Sequence, residues 1–245
     1  MRKFFVAAML SAAICATAGE RIMKKVFVAA MDCEADAVAA HFDDRRESVI
    51  FGRRVIEGKI GNEETAVIVS GIGKCNAAAA TQCALSSLGA QILINAGVVG
   101  GLRQDMRVAD IYEVKAAVQY DFDLTQLNGT PMGTLNEYKT PELPLATTGK
   151  YPGVILGTGD RFNDDENDYR LLVETFAAGL CDMEGGAVAH VALRAGKPCF
   201  MLKCISDVYG SGSTVEQYSK NLSHALKILS AAIPGYFSAV QSCRL

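Results

Sequence analysis

The chain of 245 residues lacks tryptophan, has only three histidines, and carries charges that nearly cancel, with 24 basic and 27 acidic side chains. A net charge of −3 gives no electrostatic case for binding nucleic acid or an anionic membrane surface. We therefore expect neither nucleic acid nor a membrane as a partner.

The eight cysteines lack the C-x-x-C spacing of zinc sites, and seven of them, an odd number, follow residue 22. Most lie within apolar runs, where cysteine behaves as a small buried hydrophobe. A disulfide framework and a zinc site are therefore not expected, and the sequence predicts no metal and no cofactor.

The longest apolar stretch lies at the N-terminus and is too short to span a bilayer. A basic tripeptide precedes apolar residues 4–16, and an A-x-A cleavage pattern follows at 16–18. This layout predicts a signal peptide within 1–18 and export, for example to the periplasm. The alternative is that 1–22 is a non-native extension, with translation from Met23 and a cytoplasmic protein.

Apolar runs of strand length recur along the chain, and their nearly continuous hydrophobicity predicts strands buried on both faces. Between them, apolar residues at helical spacing share one face, as from Ala35 to Phe42 and from Tyr218 to Leu229. This alternation predicts a single α/β domain over 23–245, a three-layer α/β/α sandwich. The irregular segment 121–151 is predicted to form partly a lid over a site. The predicted strands are 26–31, 66–70, 92–96, 153–157 and 200–206.

Three carboxylates stand where apolar runs give way to polar chain, namely Glu34, Glu184 and Asp207. Ligands of an α/β sheet bind at the carboxyl ends of its strands, so these acids predict a site at that edge. Because no histidine stands beside them, they indicate acid–base chemistry on a neutral, hydroxyl-rich substrate.

Two glycine-rich segments follow predicted strands, Ser-Gly-Ile-Gly-Lys at 70–74 and Asn-Ala-Gly-Val-Val-Gly-Gly at 95–101. Glycine lets the backbone approach a ligand and present amide groups at the start of a helix. Neither spacing is that of a Walker loop or a full dinucleotide fingerprint. A structural turn explains each segment alone, whereas two in one sheet favour a shared ligand crevice.

Six motifs occur together in one order. They are Ala-Met-x-x-Glu at 30–34, the two glycine-rich segments, Gly-x-Gly-Asp-x-Phe at 157–162, Met-Glu-Gly at 183–185 and Ile-Ser-Asp at 205–207. On these motifs, the chain from 25 to about 236 resembles the nucleoside phosphorylase/nucleosidase superfamily, above all its bacterial 5′-methylthioadenosine/S-adenosylhomocysteine nucleosidase branch. The resemblance implies a central mixed sheet, release of adenine and a 5′-substituted ribose by hydrolysis of the N-glycosidic bond, and a homodimer.

The resemblance also implies roles for individual residues. Asp207 would protonate N7 of the purine, and Ser206 would orient Asp207. Glu34 would polarise the attacking water, and Glu184 would accept hydrogen bonds from the ribose hydroxyls. The other implied substrate-binding residues are Phe162 stacked on the adenine, Met183 beneath the sugar, Met31 in the wall of the alkylthio pocket, Gly97 and Lys203.

Two departures of the chain from this branch matter most. Val98 replaces a serine, and Lys203 replaces an arginine, which keeps the charge but loses the planar fork of donors. These changes leave open an adenosine- or futalosine-type hydrolase, or an exported purine-nucleoside-binding protein without turnover. Related phosphorylases carry a phosphate-binding arginine after the first strand, where this chain has the acid Glu34, so hydrolysis is favoured over phosphorolysis.

Overall fold

The computed structural model of the protein describes residues 23–162 and 164–243. The predicted signal peptide or extension, 1–22, lies outside the described residues. Within them, no helix is both long and apolar enough to cross a membrane, and the seven cysteines are free.

Along the described part of the chain, ten strands alternate with six α-helices. In order they are β1 (Lys25–Ala29), α1 (Asp32–Ala39), β2 (Asp43–Ile50), β3 (Arg53–Ile60), β4 (Glu63–Val69), α2 (Lys74–Ser86), β5 (Ile92–Gly101), β6 (Ile111–Gln119), α3 (Thr125–Asn128), β7 (Leu143–Pro144), β8 (Gly153–Thr158), α4 (Glu166–Arg170), a π-helical turn (Leu171–Thr175), β9 (Leu180–Asp182), α5 (Gly185–Arg194), β10 (Cys199–Val208) and α6 (Thr214–Ser242).

All ten strands belong to one mixed sheet, which confirms the expected central mixed sheet. At its centre β1 runs parallel to both β4 and β5, and β5 runs parallel to β10. Antiparallel pairing extends the sheet from β4 through β3 to β2. At the other side β10, β6, β8 and β9 pair in turn, and β9 returns to β5, so that five strands close a ring.

Helices cover both faces of the sheet, which confirms the predicted three-layer α/β/α domain. On one face, α2 and α5 bury small residues such as Ala80 and Ala189 against the strands. On the other face, α1 and the long α6 pack through residues such as Val38 and Leu229. A third cluster packs the buried side chain of Tyr120 with residues of the π-helical turn and the chain that follows it, such as Leu172 and Phe176.

The five predicted strands correspond to β1, β4, β5, β8 and β10, and the other five strands were not predicted. The predicted lid is not seen over the cavity. The segment 121–151 contributes no residue to the cavity described below, and instead packs against α5, where Glu137 Oε1 lies 2.6 Å from His190 Nε2. The ring of Tyr138 also meets the His190 ring edge-on, with centroids 5.8 Å apart.

Candidate active site

A cavity of about 210 Å³ opens where the parallel strands β1, β5 and β10 end. The starts of α2 and α5 and the chain after β8 complete its wall. Seven of the nine predicted site residues line it, namely Met31, Glu34, Phe162, Met183, Glu184, Ser206 and Asp207. The structure thus brings together the three carboxylates that the sequence places far apart.

Glu34 is held by the backbone at both carboxylate oxygens. Oε2 accepts hydrogen bonds from the amides of Ala30 at 2.9 Å and Met31 at 3.0 Å, and Oε1 accepts one from Val98 at 2.8 Å. The side chain is only 2% exposed. Burial raises the pKa of Glu34, while the Lys203 ammonium and the three amides oppose the rise. A carboxylate whose pKa is raised is a stronger base than an exposed one.

Gly97 makes room for this carboxylate and does not line the cavity. A Cβ at this position would lie 2.5 Å from Glu34 Oε1, closer than real Cβ contacts. The resemblance assigned Gly97 to substrate binding, and the structure places it behind Glu34.

Glu184 stands just before α5 and reaches across to the start of α2. Its Oε1 accepts a hydrogen bond from the Gly73 amide at 2.8 Å. Within the described chain, Oε2 accepts none, so that oxygen is free for a ligand. Burial raises the pKa of Glu184 to about 7, and the neighbouring Asp182 carboxylate adds to the rise.

The glycine-rich segment 70–74 therefore supplies an amide to a carboxylate of the site. Its end is fixed from the other side as well. The Lys74 amide donates to Asp160 Oδ1 at 2.7 Å, and Lys74 Nζ forms an ion pair with Asp121 at 2.5 Å. These bonds anchor the start of α2 to the segments that follow β6 and β8.

Asp207 lies near the end of β10, beside an irregularity in its pairing with β5. Ser206 Oγ donates to Asp207 Oδ2 at 2.8 Å, and the Ser206 carbonyl accepts from Asn221 Nδ2 of α6 at 3.1 Å. Within the described chain, Oδ1 accepts no hydrogen bond, and a Cβ added at Gly100, which also lines the cavity, would lie 3.2 Å from it. Burial raises the pKa of Asp207 to about 6, against the effect of Ser206. The protonated acid is therefore abundant at mildly acidic pH.

Lys203 also lies behind the cavity rather than in its lining. Its Nζ forms an ion pair with Asp182 Oδ2 at 2.8 Å, and the two side chains are 2% and 4% exposed. The resemblance assigned Lys203 to substrate binding, whereas here its ammonium is bound to a carboxylate of the protein.

Aromatic and thioether groups form one rim of the cavity. The rings of Phe162 and Tyr218 meet edge-on, with centroids 5.8 Å apart, and the Tyr218 hydroxyl lies 3.3 Å from Met31 Sδ. Phe162 is 46% exposed. A large ring exposed at a cavity mouth is available to stack on a flat ligand.

Several lining residues were not predicted as site residues. Tyr120, Arg161, Cys181, Asp182 and Tyr218 all line the cavity. Asp182 directly precedes the Met-Glu-Gly segment, and Arg161 lies within the Gly-x-Gly-Asp-x-Phe segment. Their position beside predicted site residues could therefore have identified them from the sequence. Tyr120 follows a strand that was itself not predicted, and Cys181 belongs to another.

The cavity wall is rich in carboxyl groups. Among the described lining residues, Arg161 is the one cation, beside four carboxylates. Arg161 is itself paired with the buried Asp168 at 3.1 Å. Within the described residues, no cluster of three or more metal-ligating side chains is present. The arrangement therefore suits a substrate with hydroxyl groups and a basic ring, and disfavours an anion.

Known proteins are similar to this chain over nearly all of its described length. A model of the phosphorylase superfamily matches residues 24–234. The 5′-methylthioadenosine/S-adenosylhomocysteine nucleosidase of Geobacillus thermodenitrificans is 28% identical over 234 residues, which cover 90% of this chain and 98% of the relative. The aminodeoxyfutalosine nucleosidase of Campylobacter jejuni is 34% identical over 164 residues, which cover 62% and 71%.

A solved structure has the same fold. The Helicobacter pylori 5′-methylthioadenosine/S-adenosylhomocysteine nucleosidase superposes with a TM-score of 0.83 at 24% identity, covering 91% of this chain and 99% of that one. It was solved in complex with a pyrrolopyrimidine derivative.

Proposed function

The chain belongs to the phosphorylase superfamily, and we propose that it hydrolyses the N-glycosidic bond of purine nucleosides, above all 5′-methylthioadenosine and S-adenosylhomocysteine. The observation that carries the proposal is the convergence of Glu34, Glu184 and Asp207 on one cavity. Each carboxylate is held in a different way, and each has a raised pKa. The products are adenine and a 5′-substituted ribose.

Asp207 is the general acid of this reaction. Its proton passes to N7 of the purine as the bond between C1′ and N9 breaks, and the bonding electron pair leaves with the base. A carboxyl group can donate a proton only while it is protonated, and burial keeps Asp207 protonated up to about pH 6. The hydrogen bond from Ser206 fixes Oδ2, so that Oδ1 is the oxygen directed to the base.

Glu34 is the base that activates water. The ribosyl cation left at C1′ is captured by a water oxygen, and Glu34 accepts the proton that this water loses. The three amides that hold Glu34 keep the carboxylate in one orientation. A fixed base avoids the cost of reorganising polar groups during the reaction.

Glu184 binds the ribose. With Oε1 occupied by the Gly73 amide, Oε2 accepts hydrogen bonds from the sugar hydroxyls, and Met183 packs against the sugar. Phe162 stacks on the purine. The cavity lining supports hydrolysis over phosphorolysis, because Arg161, the one cation among the described lining residues, is paired with Asp168 and is therefore not free to hold a phosphate.

A second substrate class has specific support. The 34% identity to the aminodeoxyfutalosine nucleosidase exceeds the 28% and 31% identities to two methylthioadenosine enzymes, although over a shorter alignment. The two classes differ at the 5′ position, whereas Glu34, Glu184 and Asp207 would serve both in the same way.

We also propose that the chain forms a homodimer. Apolar side chains at and near the cavity are exposed, with Ile72 at 53%, Phe162 at 46% and Val215 at 54%. Ile72 and Phe162 line the cavity mouth, so a second copy packed on this face would close the 5′ end of the site. Sedimentation velocity on the purified protein should give twice the monomer mass, and a monomer at working concentrations would contradict this proposal.

A panel of nucleosides that share adenine and differ at the 5′ position tests the proposed function. The readout is free purine, and the expected result is release from 5′-methylthioadenosine and S-adenosylhomocysteine with larger kcat/KM than from adenosine. A preference for a futalosine-type substrate would move the chain to the second class. Tight binding of these nucleosides without purine release would identify a binding protein and refute hydrolysis.

A further inference from the structure

A buried ion pair joins Asp182 of the cavity wall to Lys203 behind it. Lys203 Nζ and Asp182 Oδ2 are 2.8 Å apart, and both side chains are almost fully buried. The second oxygen, Asp182 Oδ1, accepts a hydrogen bond from Thr158 Oγ1 at 2.6 Å. Two buried charges are tolerated when such partners satisfy them, and removing one alone leaves the other uncompensated.

Asp182 also holds the backbone that carries Glu184. Its carboxylate accepts hydrogen bonds from the Gly185 amide at 3.0 Å and from the Glu184 amide at 3.3 Å. Glu184 directly precedes α5, so these bonds fix the start of that helix. The position from which the Glu184 side chain reaches Gly73 therefore depends on Asp182.

Lys203 faces the pocket occupied by Glu34. In the parallel pairing of β10 with β5, Lys203 lies opposite Gly97, and the missing side chain of Gly97 is the space that Glu34 Oε1 fills. The other titratable groups near Glu34 are Glu184 at the start of α5, Tyr218 of α6 and Cys33 beside it in α1. Lys203 is the nearby cation that favours the charged form of Glu34.

We propose that Asp182 and Lys203 are positioning residues for the hydrolysis, in which Asp182 holds Glu184 at the cavity wall and Lys203 places a fixed positive charge behind Glu34. Neither residue needs to touch the reacting atoms. The inference rests on the proposed function, since it concerns how Glu34 is kept in its charged form and how Glu184 is kept in position.

The test uses a charge-neutral double variant, Lys203→Met with Asp182→Asn. Removing both charges avoids a lone buried ion, and the asparagine oxygen can still accept from Thr158 and Gly185. Lys203→Arg is the matched control because it retains the charge. The pH profile of kcat/KM is compared with that of the wild type, and thermal unfolding is measured on every variant.

In the double variant the acidic limb of the profile is expected to move up by about one pH unit, because Glu34 loses its neighbouring cation. The unfolding temperature should change little. The control variant Lys203→Arg, which keeps the positive charge, should show the acidic limb at its wild-type position. A double variant with a wild-type acidic limb would overturn the inference and leave the pair a purely structural one.

A second measurement separates this inference from the proposed function. The carbon-13 resonance of the Glu34 carboxyl group is followed against pH and assigned with Glu34→Gln. Its titration should move up by about one unit in the double variant whether or not the protein turns over. An unshifted titration overturns the inference, whereas a shifted titration without purine release by the wild type refutes only the proposed function.

Discussion

Gly97→Ala tests the placement of the base without changing any functional group. The added Cβ would lie 2.5 Å from Glu34 Oε1, whereas ordinary contacts begin at 3.4 Å, so the carboxylate must move by about 0.9 Å. That movement strains the 2.8 Å hydrogen bond from the Val98 amide. A hydrogen bond to a charged group contributes about 1.5–3 kcal/mol. Because each ~1.4 kcal/mol of lost stabilisation lowers a rate about tenfold, kcat/KM should fall by about 10- to 100-fold.

The assay is release of adenine from 5′-methylthioadenosine, with circular dichroism to verify that the variant is folded. Gly153→Ala is the matched control, because its Cβ would meet Lys115 at an ordinary 3.7 Å and it lies away from the cavity. Its kcat/KM should equal that of the wild type. A folded Gly97→Ala variant with wild-type kcat/KM would refute the argument that Glu34 acts from this position.

Three further predictions concern the other groups of the site. Because burial raises the pKa of Asp207 to about 6, kcat/KM should decline as the pH rises above about 6, and a rate that keeps rising to pH 9 would contradict an acid role. Glu184→Gln should lower kcat/KM by about 100-fold on ribosides and far less on a 2′,3′-dideoxy analogue, and equal losses on both would exclude contact with the hydroxyls. Phe162→Leu should raise KM by up to about tenfold with little change in kcat, since ring stacking is worth about 0.5–1.5 kcal/mol. An unchanged KM would show that Phe162 does not stack on the base.

The strands that the sequence predicted are those with apolar runs on both faces. β2 was missed because its sequence, Asp-Asp-Arg-Arg-Glu-Ser-Val-Ile, is polar and nearly every residue is exposed at the sheet edge. In β6 the charged residues Glu113 and Lys115 interrupt the apolar run, and β7 and β9 are too short to give a periodic signal. Closure of the ring also depends on β10 pairing with both β5 and β6, which no local pattern encodes.

The sequence predicted those carboxylates of the candidate site that belong to its motifs. Glu34, Glu184 and Asp207 were identified because each follows an apolar run and belongs to a motif. The partner of Lys203 was not predictable, since residue type alone does not show that its ammonium turns to Asp182. The role of Gly97 likewise required coordinates, because a missing Cβ has meaning only beside the carboxylate that fills its place.

The central claim is that Asp207 gives its proton to the departing purine. Asp207→Asn keeps the size and the polar contacts of the side chain but cannot act as an acid. With 5′-methylthioadenosine, kcat is expected to fall by at least about 100-fold, while the dissociation constant measured by calorimetry changes little. An asparagine variant that releases adenine at the wild-type rate would contradict the account.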